Sequence, residues 1–118
     1  MADVALTLLV LKSRQVDLLR AFYGTLGLTL AEEQHGTGPI HYAGKISDLV
    51  FEVYPLADGD VPVDTTTRLG FAVADLTKVV EELKASGSPV VEQPKATAWG
   101  RRAVVRDPDG RAVELYQR

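Results

Sequence analysis

Cysteine is absent from the 118-residue chain, which removes disulfides, thiolate nucleophiles and zinc–sulfur centres from consideration. Histidine is scarce, with only His35 and His41. No apolar run approaches the ~18 residues of a membrane-spanning helix, and Met1-Ala2-Asp3-Val4 carries no basic leader. The expectation is a soluble cytoplasmic protein without a membrane partner. Blocks of like charge are also lacking: 13 Lys and Arg stand against 16 Asp and Glu, a net charge of −3. The one basic cluster, Arg101, Arg102, Arg106 and Arg111, is interspersed with Asp107 and Asp109, so no nucleic-acid partner is expected. There is no nucleophile–base pair, phosphate-binding glycine loop or dinucleotide fingerprint, and Asp58-Gly59-Asp60 is too short for an EF-hand. What remains is an ordinary globular composition, 46% hydrophobic and 25% charged, long enough for one domain with its own core.

The most informative stretch present is the last. Two alternating β-branched runs flank Asp107-Pro108-Asp109-Gly110. Pro108 presets the second position of a type I turn and Gly110 accommodates positive φ after it, which predicts a hairpin. Its return strand, Ala112-Val113-Glu114-Leu115-Tyr116, places a carboxylate among apolar neighbours. Such a group faces solvent on an alternating strand, finds a partner, or lines a site. Val50-Phe51-Glu52-Val53-Tyr54 repeats the pattern at an offset of 62. Leu19, Tyr23, Gly27, Leu30 and Glu32 match Val79, Leu83, Gly87, Val90 and Glu92 at an offset of 60, so the chain reads as two copies of one unit.

Taken in order, Val4 to Leu11 is an apolar first strand. Ser13 is a candidate N-cap for a helix running to Leu26, with Leu18, Leu19, Phe22, Tyr23 and Leu26 on its apolar face and Gly27 after its end. Strands follow over 28–34, 40–43 and 49–54. Residues 55–66, rich in Asp, Gly, Pro and Thr, form a linker. A fifth strand spans 68–73. Asp75 caps a second helix with Leu76, Val79, Val80 and Leu83 as its stripe, ending at Gly87. Residues 89–92 make the sixth strand, 94–100 a loop holding Trp99, and the terminal hairpin supplies the last two strands. The reading is an α+β chain of two β-α-β-β-β units, residues 1–56 and 66–118, within one domain spanning 1–118.

These duplicated units, the Phe22-Tyr23…Leu26-Gly27 helix end and Asp107-Pro108-Asp109-Gly110…Glu114-Leu115 resemble the vicinal oxygen chelate superfamily, which includes glyoxalase I, bleomycin-resistance proteins, fosfomycin-resistance enzymes and extradiol dioxygenases. The resemblance covers essentially the whole chain. It implies an eight-stranded, cup-like mixed sheet with two outer helices, a ligand inside the cup, and a homodimer with either paired or swapped units. Metal-using members draw ligands from four strand positions, which fall here at Leu8, Glu52, Arg68 and Glu114. Leucine has no donor atom and arginine is a permanent cation without a lone pair to offer. The resemblance therefore implies vestigial metal positions and no cofactor, with divalent metal as the alternative. An Arg68 guanidinium reaching Glu52 or Glu114 would replace the charge of the metal; an Arg68 solvated on the rim is the competing possibility.

Other candidates are fewer. His41 is the ordinary general-base candidate and the one candidate catalytic residue; His35 sits in a glycine-rich loop and is ordinarily just exposed. Trp99 either lids the cup and stacks on a planar ligand or anchors a hairpin. Arg101 and Arg102 alternate, so only one faces the cup, and Arg102 is the candidate. The ligand-binding set is thus Glu52, Glu114, Arg68, His41, His35, Trp99 and Arg102. Three functions remain open: a metal-free binding protein for a small organic molecule, for which an acidic cup favours cationic or hydrogen-bond-donating ligands; a divalent-metal-dependent lyase or dioxygenase using Glu52, Glu114 and His41; or an assembly subunit whose cup is filled by its own side chains.

Overall fold

A computed structural model describes residues 3–118. Elements follow as β1 (Leu8–Ser13), α1 (Val16–Leu26), β2 (Ala31–Glu33), β3 (His41–Ile46), β4 (Leu49–Pro55), β5 (Leu69–Val73), α2 (Leu76–Ala85), β6 (Val90–Thr97), β7 (Gly100–Arg106) and β8 (Ala112–Gln117). This is the expected pair of β-α-β-β-β units. The eight strands divide into two four-stranded mixed sheets, ordered β1-β4-β3-β2 and β5-β8-β7-β6. In each unit the first strand runs parallel to the last, Val10 beside Glu52 and Gly70 beside Glu114. The remaining neighbours are antiparallel.

Alternation sorts the residues of every strand onto two faces. On β4, Phe51 and Val53 are buried and Glu52 between them faces the other way; on β8, Val113 and Leu115 are buried around Glu114. The helices cover the apolar face. Leu19, Phe22, Tyr23 and Leu26 of α1 join Leu76, Val79, Val80 and Leu83 of α2 in one continuous core. Tyr23 packs on Phe51 of the first unit and Phe71 of the second, with ring centroids at 5.1 and 5.8 Å, so the two units share this core.

Helix ends follow local chemistry. Gly27 closes α1 at φ 117°, a left-handed conformation that a Cβ disfavours. Asp75 caps α2 by accepting a hydrogen bond from the Lys78 amide at 3.1 Å. Several boundaries differ from the sequence reading. The N-cap of α1 is Gln15 without a side-chain cap; Ser13 belongs to β1 and accepts from the Gln15 amide two residues on. Leu18 is exposed, because the buried stripe of α1 is narrower than its run of apolar residues. β6 continues through Pro94 to Thr97, a proline tolerated because β6 is an edge strand with register shifts there. Trp99 therefore sits at the tight β6–β7 turn rather than in a long loop.

A buried polar cluster also ties the units together. Asp107 accepts from the Tyr23 hydroxyl at 2.7 Å and from Arg111 Nη1 at 3.0 Å. Arg111 donates onward to the Lys12 carbonyl of β1 at 3.2 Å. Burial and the Asp107 carboxylate push the Tyr23 phenol far above its ordinary pKa, which keeps it a donor.

Candidate functional site

Each glutamate-bearing face carries its own polar centre. In the first unit the β2–β3 register sets Glu33 beside His41, and the β3–β4 register sets Ala43 beside Glu52. The His41 ring is 1% exposed and stacks on the Tyr54 ring with centroids 3.9 Å apart. Its Nδ1 lies 3.1 Å from the Pro39 carbonyl. A carbonyl oxygen only accepts, so this bond assigns the proton to Nδ1. Nε2 then stands 3.5 Å from Glu52 Oε2 and 3.8 Å from Glu33 Oε1, buried and without a hydrogen-bond partner. His35, on the exposed β2–β3 loop, brings Nε2 to 3.5 Å from the same Glu33 oxygen. Desolvation, with the charges of Glu52 and then Glu33 behind it, raises the Tyr54 phenol above its ordinary pKa.

The second centre is cationic where the first is histidine-rich. Arg68, just ahead of β5, donates from Nε to Glu114 Oε2 at 2.6 Å. The Tyr116 hydroxyl donates to the other oxygen at 2.8 Å. Arg102 reaches both Glu114, at 3.5 Å, and Glu92, at 3.2 Å. The Tyr116 hydroxyl first and Arg68 second hold the Glu114 carboxyl below the usual glutamate range. Arg101 points away and meets Thr77 of α2.

Of the candidates, then, His35, His41 and Glu52 come together in one cluster, and Arg68, Arg102 and Glu114 in another. The polar partners of Glu52 and Glu114 are not shared. Trp99 is 78% exposed at its turn and Leu8 lies at the start of β1, on the Glu52 side of the sheet. Two cavities, of about 450 and 320 Å³, lie between the helices and beside the linker respectively, and neither is lined by Glu52 or Glu114. Sequence reasoning missed Glu33, Glu92 and Tyr116. Tyr116 was within reach, since a residue two places after Glu114 shares its face. Glu33 depends on the β2–β3 register, which no local signal specifies.

A sequence model of the Glyoxalase/Bleomycin resistance protein/Dioxygenase superfamily matches residues 8–115. The chain belongs to this superfamily. It is 29% identical over 117 residues to an uncharacterized protein of Mycolicibacterium smegmatis, covering 98% of this chain and 96% of that one. Its fold is similar to that of TnmS3, an antibiotic binding protein from Streptomyces sp. CB03234 (TM-score 0.71, 24% identity, 99% and 98% of the two chains covered). It is also similar to that of a glyoxalase/bleomycin resistance protein from the same organism (TM-score 0.68, 23% identity, 96% and 100% covered).

The resemblance implies metal positions at Leu8, Glu52, Arg68 and Glu114, and these four residues together do not fit a metal ion. Leu8 offers no donor, and the Arg68 guanidinium is bonded to Glu114 where an ion would need that carboxylate.

Proposed function

We propose that this protein binds a small organic molecule in a cup lined by the two glutamate-bearing faces, with no metal held jointly by Leu8, Glu52, Arg68 and Glu114, and that it does so as a homodimer. The Arg68–Glu114 bond at 2.6 Å carries this reading: a guanidinium gives Glu114 the positive partner that a metal would give it at the position the resemblance implies. Because Arg68 and Arg102 neutralise Glu114, the second-unit floor offers donors and an acceptor together rather than bare negative charge. That suits a ligand with both kinds of hydrogen-bonding group. The antibiotic-binding role named for TnmS3 agrees with such a use of the fold. Glu52 and Glu114 line neither of the two cavities described above, and a second copy would supply a wall for the cup.

The test is a thermal-shift screen of small organic molecules with a chelator present throughout. A ligand at 100 times its Kd adds about 2.7 kcal/mol of stability, enough to see. At least one stabilising compound is expected, and Arg68→Ala should abolish its effect while leaving the unliganded melting curve nearly unchanged. A protein that no organic compound stabilises in chelator would sink the reading.

A further inference from the structure

Glu52 and Glu114 hold equivalent places in the two units, yet only Glu114 is neutralised by arginine. Among the described residues, the ion-pair partners of Glu33 and Glu52 are the two histidines. One ligand atom from each of Glu33, His35, His41 and Glu52 lies within 4.8 Å of all the others. Donors held at 2.0–2.2 Å around a tetrahedral ion stand about 3.4 Å apart. Three of the contacts in this cluster, at 3.5, 3.5 and 3.8 Å, are already close to that spacing.

A cluster of acidic side chains would mean little by itself. The deciding observation is His41 Nε2, a buried nitrogen with no hydrogen-bond partner, set between two carboxylates. A buried polar atom is ordinarily satisfied. The Nδ1 bond to the Pro39 carbonyl fixes the tautomer that leaves a lone pair on Nε2, the usual outer-shell arrangement of a metal-bound histidine. Stacking on Tyr54 holds the ring in place. From this geometry we infer that Glu33, His35, His41 and Glu52 form a binding site for a divalent transition-metal ion of the zinc, nickel or cobalt type.

The ligand set explains the selectivity. Two imidazole nitrogens favour these ions over magnesium and calcium, which prefer all-oxygen shells. The ion reaches the site from solvent, because the His35 side chain is 72% exposed. The site shares only Glu52 with the four positions tested above and draws its other ligands from β2, β3 and the loop joining them. Its ion would do for Glu52 what Arg68 does for Glu114, placing one cation on each repeat-related carboxylate.

The experiment is calorimetric titration of chelator-stripped protein with zinc, nickel and cobalt, together with the visible spectrum of the cobalt form. One ion per chain and the absorption bands of low-coordinate cobalt are expected, with no comparable binding of magnesium or calcium. His41→Phe, which keeps a ring on Tyr54, should lose the ion. His35→Gln, on an exposed loop that leaves the fold intact by circular dichroism, should weaken binding, and Glu114→Gln should bind as wild type does. Absence of binding by the wild type, or undiminished binding by either histidine variant, overturns the site. The organic-ligand screen runs in chelator, so its failure and the failure of this site are read separately.

Discussion

Arg111 shows how much a single side chain can depend on distant sequence. In the primary structure it belongs to a cluster of four arginines interspersed with Asp107 and Asp109, which gives no sign of burial. In the fold it is fully buried, because Asp107 and Asp109 pair with it and the Lys12 carbonyl of the other unit closes over it. Only the hairpin turn was legible in Asp107-Pro108-Asp109-Gly110; its partners Tyr23 and Lys12 lie in the other unit. Removing Asp107 leaves the buried guanidinium with Asp109 as its one close carboxylate and the Tyr23 hydroxyl without its acceptor. Asp107→Ala is therefore expected to cost about 3–5 kcal/mol, measured by urea denaturation at neutral pH; a loss under about 1 kcal/mol would mean the cluster is solvated after all. Glu114 behaves differently. Its folded pKa is depressed by Tyr116 and Arg68, so its stabilisation is full above the ordinary glutamate value of ~4.3 and is lost as pH falls through the lower folded value. Arg68 is about half exposed, so Glu114→Gln is expected to lose at most about 1 kcal/mol at pH 7. The gap from wild type should close on acidification below pH ~4. A gap that widened on acidification would reverse the sign of this coupling.

At the scale of elements, periodicity was the reliable guide and boundaries were not. The α2 stripe of Leu76, Val79, Val80 and Leu83 is buried as its spacing requires. Leu83 is 1% exposed, so Leu83→Asp sets a carboxylate in the shared core without a partner and should abolish cooperative folding. A soluble Leu83→Asp protein with a sharp melting transition would contradict the packing of α2. Val4 to Leu11 is apolar but for Thr7, yet pairing with β4 begins only at Leu8. The sequence reading ends the sixth strand at Glu92, whereas β6 runs through Pro94 to Thr97, since an edge strand tolerates a proline that a central strand does not. Glycine mattered once for packing rather than for turning. A Cβ on Gly44 of β3 would collide with the Thr29 carbonyl, and this close approach sets the path of the chain into β2, where Glu33 meets His41.

For the molecule as a whole, the repeat was visible and the pairing of its halves was not. Internal similarity announces two like units, but the way they associate depends on which edges and faces are covered. Within one chain the units share the helix-side core, while each keeps a separate sheet with β1 or β5 as an open edge. The β1 edge and the residues leading into it are apolar and bare: Leu6 is 68% exposed and Leu8 51%. An exposed apolar edge strand is ordinarily covered by pairing or by a partner. The homodimer proposed here covers it and closes the cup together. Sedimentation equilibrium at micromolar concentration is thus expected to give twice the 12.8 kDa chain mass. Leu8→Glu separates this from a dimer built elsewhere. Leu8 is half exposed in the single chain, so a charge there should shift its stability by only about 0.5 kcal/mol, yet it would bring two like charges to a face meant to be buried between copies. The variant should sediment as a folded monomer with an unchanged circular dichroism spectrum. A wild-type monomer would remove the dimer, and a Leu8→Glu protein that still sediments as a dimer would move its interface away from β1.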